Sequence, residues 1–185
     1  MDNGASSYRR FLDGDDEGIV EIIKEYKDGL MLFINRYVDN IHIAEELTED
    51  VFVRLVTKKP HFVAKYSFKT WLYTIGKNTA FNYLKRQKRH LDIADETMEQ
   101  VMSDEKLVEE AYIREEQKRL LLQTLSRLNS DYSQALYLKY FEDMDNEQIG
   151  KILGKQKRQI ENLLYQAKQK LRQELEKEGF VYEGL

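Results

Sequence analysis

Apolar residues recur at intervals of three and four along most of the chain, which is the period of one face of an α-helix. In the first half this pattern is interrupted twice, and the only proline, Pro60, lies in the longer interruption. Proline cannot donate a backbone hydrogen bond, so it marks a loop there, and Ser67 is the expected N-cap of the helix that follows. The pattern therefore predicts three helices, over about 15–38, 43–57 and 67–88.

The second half shows the same period, with clear signals for helix starts and ends. Asp145 followed by Gln148 has the spacing of a capping box, in which each side chain bonds the backbone N–H of the other residue. Gly154 is expected to end a short helix, because glycine adopts the left-handed conformation of a C-cap without strain. Four helices are predicted here, over about 105–128, 132–141, 146–153 and 157–177.

Residues 90–104 are rich in acids and carry no large apolar stripe, so we expect a linker rather than a packed element. A connection of this length is longer than those that usually join neighbouring helices in a compact bundle. We therefore predict an all-α chain of two small helical domains, at 1–89 and 105–185, joined by this acidic linker.

The composition agrees with that fold and excludes several classes of protein. The 185 residues include no Cys, which excludes disulfides, thiolate metal sites and a cysteine nucleophile. No stretch approaches the roughly 18 apolar residues of a membrane span. The first residues also lack the apolar core of a signal peptide. The expected location is therefore cytoplasmic, without membrane insertion.

The net charge of −4 hides a strong segregation of charge along the chain. Residues 69–90 carry six Lys and Arg and no acid, and residues 151–172 carry seven against a single acid, Glu161. Between these blocks, residues 91–117 carry ten acids and two bases. Basic blocks of this kind are typical of surfaces that bind a polyanion, although solvated helix faces show similar runs.

The elements predicted over 146–177, a short helix, a glycine turn and a longer helix, form the pattern of a helix-turn-helix. In that motif the second helix lies in the major groove of DNA and presents its N-terminal side chains to base edges. Gln and Asn pair with adenine, Arg pairs with guanine, and Lys mostly contacts phosphate. The candidates expected to be exposed on this helix are Arg158, Gln159, Glu161, Asn162, Tyr165, Gln166 and Lys168.

The helix predicted over 67–88 interleaves aromatic and basic residues, a combination that suits unpaired nucleic acid. Aromatic rings stack on bases while cations hold the backbone. The spacing of Phe68 and Trp71 favours packing, so Asn78 is the better candidate for base contact. Phe62, in the preceding loop, is a candidate wall of a pocket for an extruded base. The aromatic residues of this helix are Phe68, Trp71, Tyr73, Phe81 and Tyr83.

No catalytic or metal site is indicated by the sequence. His42, His61 and His90 lack the spacing of metal ligands, and no set of nucleophile, base and acid stands out. The phosphate-binding pattern Gly-x-x-x-x-Gly-Lys is absent. We therefore expect a binding protein that is not an enzyme and uses no metal or cofactor. A purely structural helical adaptor is disfavoured by the acid-free basic block.

Two stretches of the chain resemble one known family. "AEELTEDVFVRLV" (44–56) followed by "SFKTWLYTIGKNTAFNYLKRQKR" (67–89) resembles region 2 of an extracytoplasmic-function (ECF) sigma factor, within the sigma-70 family. The stretch at 125–171, which begins "LSRLNSDYSQALYLKYF", resembles region 4 of the same family. The resemblance covers about 8–89 and 117–175, with both modules in the family's order.

This resemblance implies a dissociable subunit of bacterial RNA polymerase that directs promoter recognition, −10 melting and transcription initiation. The first domain would bind the core polymerase and the −10 element, the second would bind the −35 element, and the linker would follow the path of the RNA. The implied polymerase-binding residues are Glu46, Glu49, Asp50, Val51 and Arg54. The implied −10 residues are Lys58, Phe62, Lys69, Lys77, Asn78, Lys85 and Arg86, and the implied −35 residues are Lys157, Arg158, Gln159, Asn162, Tyr165, Gln166 and Lys168.

The chain departs from the family pattern in the helix that would read the −35 element. Glu161, Leu163 and Gln166 stand at positions that are usually basic in the family. An acid that faces phosphates costs affinity, so the resemblance implies a weaker or unusual grip on this element. The basic pair Lys157 and Arg158 just upstream would compensate in part.

One alternative function stays open at this level. A conventional helix-turn-helix regulator could bind duplex DNA without being a polymerase subunit, but it would leave residues 44–56 and the aromatic-basic helix without a role. An anti-sigma factor is a further partner class for this family, and no residue of the chain points to one. The promoter sequence is equally open, because the loop at 63–66 departs from the family pattern.

Overall fold

The computed structural model describes residues 3–91 and 114–177, and these ranges form eight α-helices without a strand. The all-α prediction is confirmed. The helices are α1 Asn3–Leu12, α2 Glu17–Val38, α3 Ile41–Lys58, α4 Phe68–Leu91, α5 Arg114–Ser126, α6 Ser130–Tyr140, α7 Asn146–Leu153 and α8 Lys157–Lys177.

Most predicted helix bounds agree with the structure, and α1 is the element that the sequence pattern did not predict. Its ten residues contain three large apolar side chains, Tyr8, Phe11 and Leu12, too few to establish a period. Tyr8 and Phe11 are buried, at 1% and 4% exposure, because α1 packs on α2, whereas Leu12 is 40% exposed. The linker predicted at 90–104 and the helix start predicted near 105 lie largely outside the described residues, so the division into domains stays a prediction.

The first half of the chain packs α1, α3 and α4 around α2. The inward face of α2 includes Ile22, Leu30 and Phe33, which are fully buried. One sequence interpretation is wrong here: Tyr73, one of the aromatic residues considered for base stacking, is fully buried in the core.

The second half is a helix-turn-helix unit whose predicted caps are confirmed. Asp145 and Gln148 form the capping box at the start of α7. Gly154 ends that helix in the left-handed conformation, with φ at 70°. Gly150 permits the tight α7–α8 turn, because a Cβ there would lie 2.6 Å from the backbone oxygen of Lys155. Together, these features fix the direction of α8 relative to α7.

The two halves pack directly against each other. Helix α6 contacts α2, and α7 contacts the N-terminal part of α4. The cluster of buried apolar side chains therefore runs through both halves. Within the described ranges, no helix is both long enough and apolar enough to cross a membrane.

Candidate nucleic-acid interface

The basic helix α4 presents its charges unequally along its length. Lys85 and Arg86, near its C-terminal end, are exposed, as is Asn78 in the middle. Lys69 and Lys77, nearer its start, are partly covered by the second half of the chain. Burial, and secondly the charge of Lys155, lower the pKa of Lys77. The C-terminal half of α4 is therefore open to a polyanion, whereas its N-terminal half is occupied.

The loop between α3 and α4 places Phe62 against the start of the basic helix. Its ring centroid lies 5.6 Å from that of Phe68 and 5.3 Å from that of Trp71. Phe68 is fully buried, whereas Phe62 and Trp71 keep part of their surface exposed. The Phe62 ring therefore packs on neighbouring rings and keeps part of its surface exposed. An extruded base can stack on such an exposed ring surface.

Helix α1 holds this loop in place. The Tyr8 hydroxyl donates a hydrogen bond of 2.8 Å to the Pro60 carbonyl, and the Tyr8 ring centroid lies 5.4 Å from that of Trp71. Burial raises the pKa of Tyr8 to about 12, which keeps the hydroxyl protonated and able to donate. Sequence reasoning missed this positioning residue; the close pair of Tyr8 and Phe11 in an otherwise polar segment was the available signal.

We expect Tyr8→Phe to loosen the loop while leaving the fold intact. The variant keeps the ring packing and removes one hydrogen bond, a loss of about 1 kcal/mol in the free energy of unfolding. Binding of a single-stranded oligonucleotide should weaken several-fold if the Pro60 carbonyl anchors the loop. Thermal unfolding and the affinity for the single strand measure the two effects. A lowered unfolding temperature with unchanged affinity would show that the bond serves stability alone.

Phe81 is an exposed member of the aromatic residues that the sequence interleaves with basic ones on α4. It is 58% exposed, and the Lys77 ammonium lies 6.0 Å from the centre of its ring. The ring of Tyr37 supports it edge-on, with centroids 6.3 Å apart. An exposed aromatic ring beside a lysine is a further candidate for base stacking on the basic helix.

The helix α8 carries the face predicted to read duplex DNA, and all seven predicted −35 residues are exposed. Two of them already make contacts within the protein. Gln159 accepts a hydrogen bond from the Gln156 backbone N–H at 2.7 Å, and Gln166 accepts one from the Tyr132 hydroxyl at 3.2 Å. The exposed members of this face are Lys157, Arg158, Gln159, Asn162, Tyr165, Gln166 and Lys168.

Packing on α6 and α7 fixes the orientation of that face. Ile160, Leu164 and Ala167 are buried at the spacing of one helix side, so the remaining positions point outward. Glu161 lies on the exposed side among the basic and amide residues, as the sequence predicted. An uncompensated carboxylate on a DNA-facing surface opposes phosphate contact, so Glu161 lies where it would weaken the grip.

The surface of α3 predicted to bind a protein partner is formed by four of the five predicted residues. Glu46, Glu49, Asp50 and Arg54 are exposed. Val51 is not part of it: this side chain is fully buried in the core, so its assignment to the surface is wrong. Its position lies on the opposite, inward face of the helix, whereas Val53, on the outer face, is 56% exposed.

In the part of the chain that the structure describes, no group of three or more His, Asp or Glu side chains is placed to hold a metal ion.

Comparisons with known proteins match both halves of the chain. The family model for Sigma-70 region 2 matches residues 22–90, and that for Sigma-70, region 4 matches residues 118–171. ECF RNA polymerase sigma factor SigW of Bacillus subtilis is 26% identical over 170 residues, covering 88% of this chain and 91% of that protein. RNA polymerase sigma-H factor of Pseudomonas aeruginosa is 27% identical over 148 residues, covering 76% of this chain and 77% of that protein.

Solved structures share the fold. The sigma factor RpoE in complex with the anti-sigma factor NepR, from Bartonella quintana, gives a TM-score of 0.67 at 19% identity, over 84% of this chain and 95% of that one. CnrH in complex with the cytosolic domain of CnrY gives a TM-score of 0.62 at 16% identity, over 94% of this chain and 95% of that one.

Proposed function

Because the chain belongs to the sigma-70 family, as an extracytoplasmic-function sigma factor that directs RNA polymerase to promoters, we propose how its surfaces divide that work. The first half binds core polymerase and the −10 element, and the second half binds the −35 element. The observation that carries this proposal is that the two family models match in order, one on each half.

The −10 site in this proposal combines the loop before α4 with α4 itself. Phe62, backed by Phe68 and Trp71, stacks on a non-template base that leaves the duplex. Asn78 bonds a base edge, since an amide offers both a donor and an acceptor. The phosphates are held by the lysines and arginine predicted for this element: Lys58, Lys69, Lys77, Lys85 and Arg86.

The −35 site lies on α8 in this proposal. Lys157 and Arg158 start the helix and meet the phosphates at the groove edge, which suits their exposure. Asn162 and Tyr165 lie one and two turns further and face base edges. Glu161 limits the affinity of this site, so the contribution of the −10 site to promoter choice is correspondingly larger.

The polymerase-binding surface lies on α3. Its exposed charges of both signs surround Val53, a pattern typical of the rim and centre of a protein interface. We propose the same surface without Val51. An anti-sigma factor is a further proposed partner, because RpoE was solved in complex with the anti-sigma factor NepR. CnrH was likewise solved in complex with the cytosolic domain of CnrY. The proposed location is cytoplasmic and the proposed mode of action is binding without catalysis.

Transcription with purified components tests the function. Added to bacterial core polymerase, the protein should yield transcripts that start at defined sites on genomic DNA, and mapping those sites identifies the promoters. Arg54→Glu should lower the affinity for core polymerase without unfolding the chain. Tight promoter binding by the free protein, with no association with polymerase, would instead favour the conventional helix-turn-helix regulator.

The double variant Lys157→Ala with Arg158→Ala tests the −35 site. Each lost phosphate contact should reduce the slope of log affinity against log salt by about 0.9. We therefore expect weaker binding of holoenzyme to a promoter duplex and a slope shallower by about 1–2. Lys170→Ala, an exposed change further along α8, is the matched control. An unchanged slope in the double variant would remove these two residues from the DNA interface.

A further inference from the structure

Amide side chains form a stripe along one flank of the exposed face of α8. They recur at intervals of three, four and three residues, the spacing of neighbours on one side of a helix, and all of them are exposed. By the same spacing, Lys157, Glu161 and Lys168 lie on the other flank. The stripe consists of Gln159, Asn162, Gln166 and Gln169.

The chemistry of this amide stripe suits base reading better than phosphate binding. An amide carries no charge, so it cannot replace the counterions of the phosphate backbone. It does present an N–H donor and a carbonyl acceptor side by side, and these match the N7 acceptor and the N6 donor of adenine in the major groove. One flank of α8 therefore offers base contacts, whereas the other offers charge.

Gln166 differs from the rest of the amide stripe in how it is held. Its carbonyl oxygen accepts a hydrogen bond from the Tyr132 hydroxyl of α6 at 3.2 Å. Gln159, by contrast, is bonded within its own helix start, where its oxygen accepts from the Gln156 N–H at 2.7 Å. Within the described ranges, Gln166 is the member of the stripe whose amide is oriented by another helix.

Tyr132 is itself held in place by the fold. Its ring is partly buried and packs against the apolar core. Its backbone N–H donates to the side chain of Asn129, the N-cap of α6, at 2.9 Å. Helices α6 and α8 also pack directly against each other. The Tyr132 hydroxyl is therefore fixed relative to α8 by contacts within the protein.

The hydrogen bond from Tyr132 decides the orientation of the Gln166 amide. A free glutamine can turn its amide by half a rotation and exchange its C=O for its NH2. The Tyr132 hydroxyl donates to the oxygen and so opposes this rotation. The oxygen keeps a second lone pair for the N6–H of adenine, and the NH2 stays free for N7. Guanine presents two acceptors at this edge, so the fixed oxygen would meet another acceptor.

We propose that Tyr132 and Gln166 form a base-reading pair that selects adenine at one position of the −35 element. Gln166 makes the base contact, and Tyr132 is a positioning residue that acts through it. This inference rests on the proposed −35 site on α8 and adds the base that the site prefers. The A·T pair should be preferred at this position by about 5- to 150-fold in affinity, the discrimination of one good bidentate contact.

Selection from a library of random-sequence duplexes tests the base contact. Holoenzyme and, in parallel, the free chain are incubated with the library, and the retained duplexes are sequenced. Duplexes retained by the wild-type protein should share an adenine at a position that depends on residue 166. Gln166→Ala should remove the preference at that position alone. Gln166→Arg, which presents two donors, should replace it with a preference for guanine.

Tyr132→Phe tests the positioning role. The variant keeps the ring packing and loses the hydroxyl, so the Gln166 amide can rotate. The preference for adenine over guanine at this position should fall by about 2- to 12-fold, the usual value of one hydrogen bond. Preferences at other positions and the Tm should stay unchanged. A tyrosine with a merely structural role would instead lower the Tm or weaken binding of all duplexes alike.

Two matched variants serve as controls. Tyr140→Phe removes the hydroxyl of a different α6 tyrosine, which meets α8 through its ring, 5.3 Å from the Lys168 ammonium. Gln173→Ala removes an exposed amide about 10 Å further along α8 than Gln166. Neither change should alter the base preference at the position that Gln166 reads.

The outcomes separate this proposal from the proposed function. Retained duplexes without a shared adenine, or an adenine preference that survives Gln166→Ala, would overturn the base contact. An unchanged preference in Tyr132→Phe would overturn the positioning role. Failure of the proposed function would appear elsewhere, as the absence of defined transcript starts with core polymerase. The selection would still report the base preference in that case, because it requires binding and no transcription.

Discussion

Phe62→Ala should slow promoter opening by roughly 5- to 150-fold, because stacking of one base on an aromatic ring stabilises it by about 1–3 kcal/mol. The Phe62 ring is supported by Phe68 and Trp71 and keeps one side open, so its loss removes the surface on which the base rests. Asn78→Ala should have an effect of similar size through the loss of an amide contact with a base edge. Permanganate reactivity of unpaired thymines in the −10 region follows the opening.

The fold should tolerate both changes. Asn78 is exposed, and Phe62 is only partly buried in a loop, so we expect losses of about 1 kcal/mol or less in the free energy of unfolding. Val63→Ala, an exposed apolar change in the same loop, is the matched control and should open promoters normally. Normal opening by both Phe62→Ala and Asn78→Ala would show that the base pocket lies elsewhere.

Gly150→Val should disrupt the −35 site by moving α8. The new side chain would meet the Lys155 backbone oxygen, at 2.6 Å for its Cβ alone. That oxygen cannot move away freely, since the Lys155 N–H donates to the Gly150 carbonyl at 2.9 Å and ties the same two segments together. Overpacking of this kind costs about 1–3 kcal/mol, which corresponds to a fall of roughly 2–12 °C in Tm for a chain of this size.

Gly154→Asn provides the control for that prediction. Gly154 has a left-handed backbone, which Asn tolerates better than other residues do, and a Cβ there meets only the end of the Lys77 side chain. Its Tm should fall less than that of Gly150→Val. Binding of holoenzyme to a promoter duplex should weaken at least about tenfold for Gly150→Val, equivalent to about 1.4 kcal/mol. Equal binding by the two variants would contradict the role of Gly150 in orienting α8.

Local signals in the sequence were sufficient for most of the helices. The bounds of α7 and α8 agree with prediction because a capping box, a C-cap glycine and a clear apolar period all act within a few residues of each other. The exposed side of α8 followed from the same period. Helix α1 was not predicted because its three large apolar residues, Tyr8, Phe11 and Leu12, are too few to establish a period, and its stability comes from packing on α2.

The wrong site predictions concern residues that lie on the buried side of their helices. Val51 resembles the family's partner surface in sequence, yet its position on α3 points into the core. Tyr73, interleaved with lysines, points inward for the same reason, whereas Phe81, from the same interleaved set, points outward. Sequence spacing suggests residue types for the sites, but the side of the helix on which a residue lies depends on which neighbours pack against it.

The sequence by itself determined the all-α fold, the family, the segregation of charge and most helix boundaries, because propensity, capping and apolar period are encoded within single helices. Only the tertiary structure decided what happens between segments distant in the chain. It shows Tyr8 bonded to Pro60, and Glu142 in a pocket over Gly29 beside Lys69. Such contacts join residues tens of positions apart, and their partners depend on how helices pack rather than on any local pattern.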